Sequence, residues 1–443
     1  MNRRDFLKRA TALGLVLHAS IKSAWSANHA ANNRFFIMVD ANGGWDPTSL
    51  CDPKGNTARA DGRGLINRYF TNDIGTIANS PIKYAPFPHQ QLLADANAPA
   101  LRTDMPLRSF ANFFNRHANN LMVINGIDVE TVSHSVGSRI SWSGSNQEGT
   151  PGFGALAAAN LAPNNLMSFL SYGGYDVTAN LVAATRVNDV SVFQELAFPN
   201  RFELEEGNQF VLKPAVYQKI EQAKQQRILR KLQSTSLPQR RAALNRLLNT
   251  STNGLQNVIS QLNKIRNNSP NQTLSQGLKG QAELAAAAFA AGTAASANLT
   301  IGGLDTHGTH DRDHTLRLAE LIDGVDYLWN MLELLNIADK TTVIIGSDFG
   351  RTPFYNDDHG KDHWNITSMI LMGAGIPGNR VIGATTANYT AQKLDPTTLK
   401  VAANQNDLNA IKLTPAHIHV ALQQHFNINS NFPLNAPVLP LFS

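Results

Sequence analysis

Cysteine is almost missing from this chain of 443 residues: Cys51 stands alone, so no intramolecular disulfide can form. Stability in an oxidising compartment must therefore come from the core or from a metal. Cys51 itself reads as a partly buried thiol without chemistry. Charge is also sparse, at 16% of residues. The formal net charge of +5 suggests a polyanionic partner, but its distribution removes the suggestion. Arg3, Arg4, Lys8, Arg9 and Lys22 against Asp5 give the first 26 residues +4, leaving +1 for the rest. Nucleic acid is not implied as a partner. Uncharged runs of membrane length are missing too, so no permanent membrane anchor is expected. No G-x-S-x-G elbow occurs, which removes the central element of an α/β-hydrolase. No Walker loop or G-x-G-x-x-G fingerprint occurs, which leaves nucleotide binding without support.

What is present begins at the N-terminus. Paired arginines at Arg3 and Arg4 precede Phe6-Leu7-Lys8, a mildly apolar stretch from Ala10 to Ile21, and small residues at Ala24, Ser26 and Ala27. This is the layout of a cleavable signal of the twin-arginine type over residues 1–27. It implies the twin-arginine translocase as a partner during export and a periplasmic or secreted protein. Asn2 stands where that motif most often has Ser.

The remainder, 34–443, reads as one α/β domain. Phe35-Phe36-Ile37-Met38-Val39 and Leu121-Met122-Val123-Ile124 are continuous apolar runs bounded by turn formers, the pattern of buried strands. Residues 205–275 become rich in Gln, Lys, Arg and Leu at helical spacing and read as a helical insertion. One face there joins Leu255, Val258, Ile259 and Leu262, and Pro238 separates it from the helix of Val216, Ile220 and Leu232. Its basic residues read as a solvated face. Further on, the strand Asn298–Ile301, a long amphipathic helix through Leu318, Leu321, Ile322, Val325, Leu328, Leu332 and Leu335, and the strand Thr342–Gly346 make a βαβ unit. A parallel sheet between helices follows.

Functional loops of such sheets lie beyond the carboxyl ends of the strands. Three strand ends here carry Asp and His. The first gives Asp40 and Asp46. The second gives Asp305-Thr306-His307-Gly308-Thr309-His310-Asp311. The third gives Ser347-Asp348-Phe349-Gly350-Arg351, then His359-Gly360-Lys361-Asp362-His363. Mixed carboxylate and imidazole donors suit a divalent metal such as Zn, Mn or Fe, as one or two ions. Asp and Ser after strands often cap the next helix, and Asp311 or Asp313 could do only that, while His314 at the start of the long helix reads as exposed. Thr131-Val132-Ser133-His134-Ser135, just past the second strand, could supply a hydroxyl nucleophile or a ligand.

These motifs together resemble the bacterial domain-of-unknown-function 1501 family. Those that carry the resemblance are the twin-arginine leader, Gly43-Gly44-Trp45-Asp46, Gly303-Leu304-Asp305-Thr306-His307, Ser347-Asp348-Phe349-Gly350-Arg351-Thr352-Pro353 and Asp362-His363. That family is in turn similar to the alkaline phosphatase and sulfatase superfamily. The resemblance implies a parallel sheet with metals at its strand ends. Asp40 or Asp46 would be the first-strand ligand, Asp305 and His307 would hold one metal, and Asp348 would serve another. His363, with His359 in reserve, would complete the set. Ser133 or Ser135 would lie near the nucleophile position with His134 beside it, and Arg351 would bind a substrate anion. The third strand end departs, having Asp348-Phe349 where the superfamily often has Asp-His. The expectation is an exported, metal-dependent hydrolase of phosphate or sulfate esters, acting on a small anionic or surface-polymer substrate. The competing expectation is a non-catalytic member of the fold that binds or helps assemble a cell-surface component.

Overall fold

A computed structural model describes residues 34–88, 109–165, 167–186, 197–200, 210–251, 254–269 and 274–443. The leader expected over residues 1–27 lies outside them. In chain order the principal elements are β1 (Phe35–Ala41), α1 (Phe110–His117), β2 (Leu121–Asp128), α2 (His134–Ser143), α3 (Phe153–Leu161), β3 (Phe169–Ser171) and β4 (Ala184–Arg186). Helices α4 (Pro214–Ser234), α5 (Pro238–Ser251), α6 (Gly254–Asn268) and α7 (Gly277–Ala290) follow. The chain then forms β5 (Ser296–Ile301), α8 (His310–Leu334), β6 (Thr341–Gly346), β7 (Ile366–Gly373), β8 (Arg380–Ile382) and α9 (Pro415–Phe426).

The eight strands form one sheet in the order β8-β2-β7-β6-β1-β5-β3-β4. β7 runs antiparallel to both its neighbours, β2 and β6, while the other pairings are parallel. Such a sheet needs cover on both faces, and β1 shows how that is met. Phe35, Ile37 and Val39 enter one core with the phenylalanines of α1 and the apolar faces of α6, α7 and α8. Phe36 and Met38 enter a second core with Trp142 of α2, the small residues of α3 and the apolar face of α9. Alternate side chains of one strand thus knit two helical layers together.

In register, Asp40 of β1 lies opposite Thr300 of β5 and Gly346 of β6. The carboxyl ends of these three central strands therefore open side by side. The loop after β6 folds back as a two-residue ribbon in which Gly350–Arg351 pairs with His363–Trp364. It carries His363 over the same edge.

The helical segment divides in two. α6 turns Val258, Ile259, Leu262 and Ile265 into the core. α4, by contrast, buries only Ile228 of its 21 residues, and Val216 and Ile220 are exposed.

Candidate metal centre at the strand ends

Two imidazoles and one carboxylate meet above β1, β5 and β6. His134 opens α2, Asp305 sits in the loop after β5, and His363 hangs from the ribbon. One ligand-type atom from each lies within 4.8 Å of the others. α2 comes close because Gly137 faces the loop after β6. A Cβ there would stand 2.6 Å from the carbonyl of Asp348, so a larger residue would push His134 away.

The tautomers follow from what each ring's other nitrogen touches. His134 Nδ1 lies 2.5 Å from Asp348 Oδ2, His307 Nδ1 lies 2.7 Å from Asp362 Oδ1, and His363 Nδ1 lies 2.8 Å from the Val132 carbonyl. Each Nδ1–H donates to an oxygen, which leaves each Nε2 as a lone pair. Those lone pairs converge. His363 Nε2 is 3.1 Å and His307 Nε2 is 3.0 Å from Asp305 Oδ1, and the two nitrogens are 3.1 Å apart. His134 Nε2 is a buried atom with no hydrogen-bond partner, 3.4 Å from Asp305 Oδ2. Lone pairs facing a carboxylate and each other are repulsive unless a proton or a cation stands among them. Carboxylate- and carbonyl-oriented imidazoles of this kind are the usual surroundings of a bound divalent cation. These residues fit such a group.

Asp305 is ready to serve it. Partial burial would raise its carboxyl, but the hydrogen bond and charge of Arg351 outweigh this and hold it down at about 2. Asp348 is fully buried and also accepts from the Ser347 hydroxyl at 2.8 Å, so it orients His134 rather than serving a separate metal. Asp40 accepts from Trp142 Nε1 at 3.0 Å. Burial first, and the charge of Asp348 second, push its carboxyl up to about 7.

The other expected residues settle elsewhere. Asp46 is fully buried in a salt bridge with Lys361, Nζ to Oδ2 at 2.7 Å, and also accepts from Thr48 and Ser49. A closed ring of bonds surrounds the pair. The Asp46 N–H donates to His314 Nε2 (2.8 Å) and His314 Nδ1–H donates to Thr306 Oγ1 (2.9 Å). The Thr306 hydroxyl donates to His310 Nδ1 (2.9 Å) and His310 Nε2–H donates to Asp46 Oδ2 (3.0 Å). Every ring nitrogen is engaged with both histidines neutral, in line with the burial that lowers their pKa. Asp46 is thus an anchor rather than a metal ligand. His314, expected at the surface, is wholly inside.

Arg351 is likewise corrected. Its guanidinium is fully buried and donates to the carbonyls of Gly43, Gly44 and Lys361 and to Asp305, so it ties down the β1 loop instead of meeting a substrate anion. Gly44 must be glycine here: its φ is +81° and a Cβ would lie 2.7 Å from the Phe349 ring. His359 is exposed, with Nδ1 3.0 Å from Arg68, away from the cluster. Ser133 and Ser135 are exposed on either side of His134. Phe349 packs its ring 4.7 Å from that of His134 and 4.6 Å from that of His363. Cys51 is fully inside, and burial pushes its thiol up.

Lys361 went unnoticed in the sequence. It lies between residues that draw attention as ligands, and nothing in the local pattern tells a buried ammonium from a solvated one.

Fold and site together define an α/β protein with an imidazole–carboxylate cluster at the carboxyl ends of its central strands. The family model described as "Protein of unknown function (DUF1501)" matches residues 34–410, and the chain belongs to that family. No curated protein matches the chain. Three solved structures of low identity are similar. Ps i-CgsB in complex with k-i-k-neocarrahexaose is 6% identical with a TM-score of 0.36, over 92% of this chain and 75% of that one. BT1596, a 2-O GAG sulfatase, is 10% identical with a TM-score of 0.30, over 74% and 67%. The lipoteichoic acid synthase LtaP from Listeria monocytogenes is 10% identical with a TM-score of 0.31, over 84% and 74%. Among the described residues no helix is long and apolar enough to cross a membrane.

Proposed function

We propose that this chain is an exported hydrolase of phosphate or sulfate esters that works with a divalent cation held by His134, Asp305 and His363. The observation that carries the reading is the convergence of imidazole lone pairs on Asp305, with His134 Nε2 buried and without a hydrogen bond. When bound, the cation would supply Lewis-acid polarisation of an ester oxygen. The chain's own residues do the rest. Asp348 and the Val132 carbonyl fix the rings of His134 and His363. Arg351 holds Asp305 ionised and in place. The start of α2 offers N–H groups without intrahelical partners and the positive end of the helix dipole, which favours an anionic ester. Ser133 or Ser135 stands there as the candidate nucleophile. His307, oriented by Asp362, stands at the exposed rim with Nε2 toward the cluster.

Phe349 gives the second reading its support. A ring packed against two imidazoles leaves room for fewer ligands and suits a protein that binds an anionic surface polymer without cleaving it.

Elemental analysis of the purified protein tests the cation. One ion per chain, lost in Asp305→Ala and His363→Ala with folding retained, supports the reading. No transition metal in the wild type refutes it. Turnover of aryl phosphates or sulfates by the loaded protein separates hydrolase from binder. Export is tested by changing both Arg3 and Arg4 to Lys, which should leave the protein in the cytoplasm.

A further inference from the structure

The near-neutral charge of the chain outside its leader conceals a strong asymmetry. Residues 210–251 hold nine Lys or Arg against the single acid Glu221, a local charge of +8. The whole chain is +5, so everything else sums to −3. The same short stretch gathers exposed apolar side chains. Of the fourteen exposed large hydrophobics among the described residues, eight lie between Phe210 and Leu247.

The two features share one surface. On α4, Val216, Ile220, Lys224, Arg227 and Lys231 recur at steps of four, four, three and four, which places them on one helix face. All five are exposed, while Ile228 and the half-buried Tyr217, Gln225 and Leu232 face inward. The stripe runs roughly 23 Å, apolar at its start and cationic toward its end. Phe210, Val211 and Leu212 extend the apolar end just before the helix, exposed at 42%, 56% and 39%. Lys224 pairs with Glu221 at 2.6 Å, an exposed contact that competes weakly with an anionic partner.

We propose that this outer face of the α4–α5 hairpin docks the protein on an anionic phospholipid bilayer. Charge complementarity selects an anionic surface. The apolar half selects lipid over a soluble polyanion, because exposed Val, Ile, Leu and Phe gain free energy at the acyl boundary. Lys and Arg stems, meanwhile, reach back to the phosphates. The hairpin lies outside the core, with α4 packed on α5, so it can meet a flat surface without disturbing the sheet. This surface is independent of the metal centre.

The test is co-sedimentation of the full chain with vesicles, in a background where Arg3, Arg4, Lys8 and Arg9 are changed to Gln so that the leader adds no charge. Two compositions are used, phosphatidylcholine alone and phosphatidylcholine with about one-third phosphatidylglycerol. Binding is expected only to the anionic vesicles, and it should weaken as salt rises. Changing Lys224, Arg227 and Lys231 to Gln should weaken it about a hundredfold, since each basic side chain near such a surface is worth about fivefold. Val216→Ser with Ile220→Ser should weaken it about tenfold. Unchanged far-ultraviolet circular dichroism and thermal midpoint show that both variants keep the fold. Equal binding to both vesicle types overturns the proposal. So does no binding to either, unchanged binding of the charge variant, or capture by a soluble polyanion without vesicle binding.

Discussion

Lys361→Met is the most informative single perturbation of the fold around the site. The Lys361 ammonium is fully buried and 2.7 Å from the equally buried Asp46 carboxylate. Methionine keeps the volume and removes the charge, which leaves Asp46 ionised in a dry interior. Breaking one side of such a pair costs about 3–5 kcal/mol. Unfolding entropy of about 2 cal/mol/K per residue gives a domain of this size roughly 0.9 kcal/mol/K at its midpoint. The melting temperature should therefore fall by about 3–6 °C.

The pH dependence supplies a second signature. In the wild type, burial would raise the Asp46 carboxyl, but Lys361 and His310 outweigh it and hold the group well below its ordinary range. Its contribution to stability is complete above the unfolded value near 4 and is lost as pH falls through the lower folded value. Without Lys361 the folded value moves above the unfolded one. Stability then falls as pH rises from about 4 toward the new value. The gap between variant and wild type should thus be widest near pH 8 and narrow on acidification. Asp46→Asn with Lys361→Met should recover most of the loss. Differential scanning calorimetry across this range decides the matter. A Lys361→Met midpoint within about 1 °C of wild type at every pH would refute the assignment of this pair as a buried anchor.

Asp40, held at about 7 mainly by burial, should behave in the opposite sense. Its folded value lies above the unfolded one, so stability is lost as pH rises from about 4 through 7. Asp40→Asn should accordingly unfold later than wild type near pH 8, and equal urea midpoints there would contradict this. Asp348→Asn should loosen cation binding by about 10- to 100-fold through misorientation of His134. Competition with a chelator measures this, and unchanged affinity would detach Asp348 from the centre. Chelation of the loaded wild type should lower its melting temperature, while the same treatment of His363→Ala should have no effect. Gly44→Ala should destabilise the protein through the +81° φ and the contact with Phe349, visible as an earlier urea midpoint.

The sheet was legible because buried parallel strands leave continuous apolar runs such as Phe35–Val39, and because α8 keeps helical periodicity over many turns. Asp305 and His363 drew attention through the density of acid and imidazole after strands, and His134 stood out beside two serines. What could not be read was burial. His310, His314 and Lys361 lie in the same motifs as the ligand-type residues, yet they form a closed internal network whose partner Asp46 is some 260 to 315 positions away. Arg351 resembled an anion binder because its carbonyl partners on Gly43 and Gly44 are backbone atoms, which leave no trace in side-chain chemistry. The outward face of α4 could not be read for a related reason. Val216 and Ile220 have helical spacing, but spacing does not say which side of a helix meets the core.

α2, which brings His134 to the cluster, has its far end fastened by α9, where His419 Nε2 lies 2.8 Å from the Ser141 carbonyl. The cluster therefore draws on residues 134, 305 and 363 and leans on 419, so no early portion of the chain can assemble it. A chain still emerging from the ribosome with β1 and β5 formed would lack His363, and with it one side of the cluster. Occupancy at Asp305 would consequently report that the ribbon bearing His363 had folded back over the sheet edge.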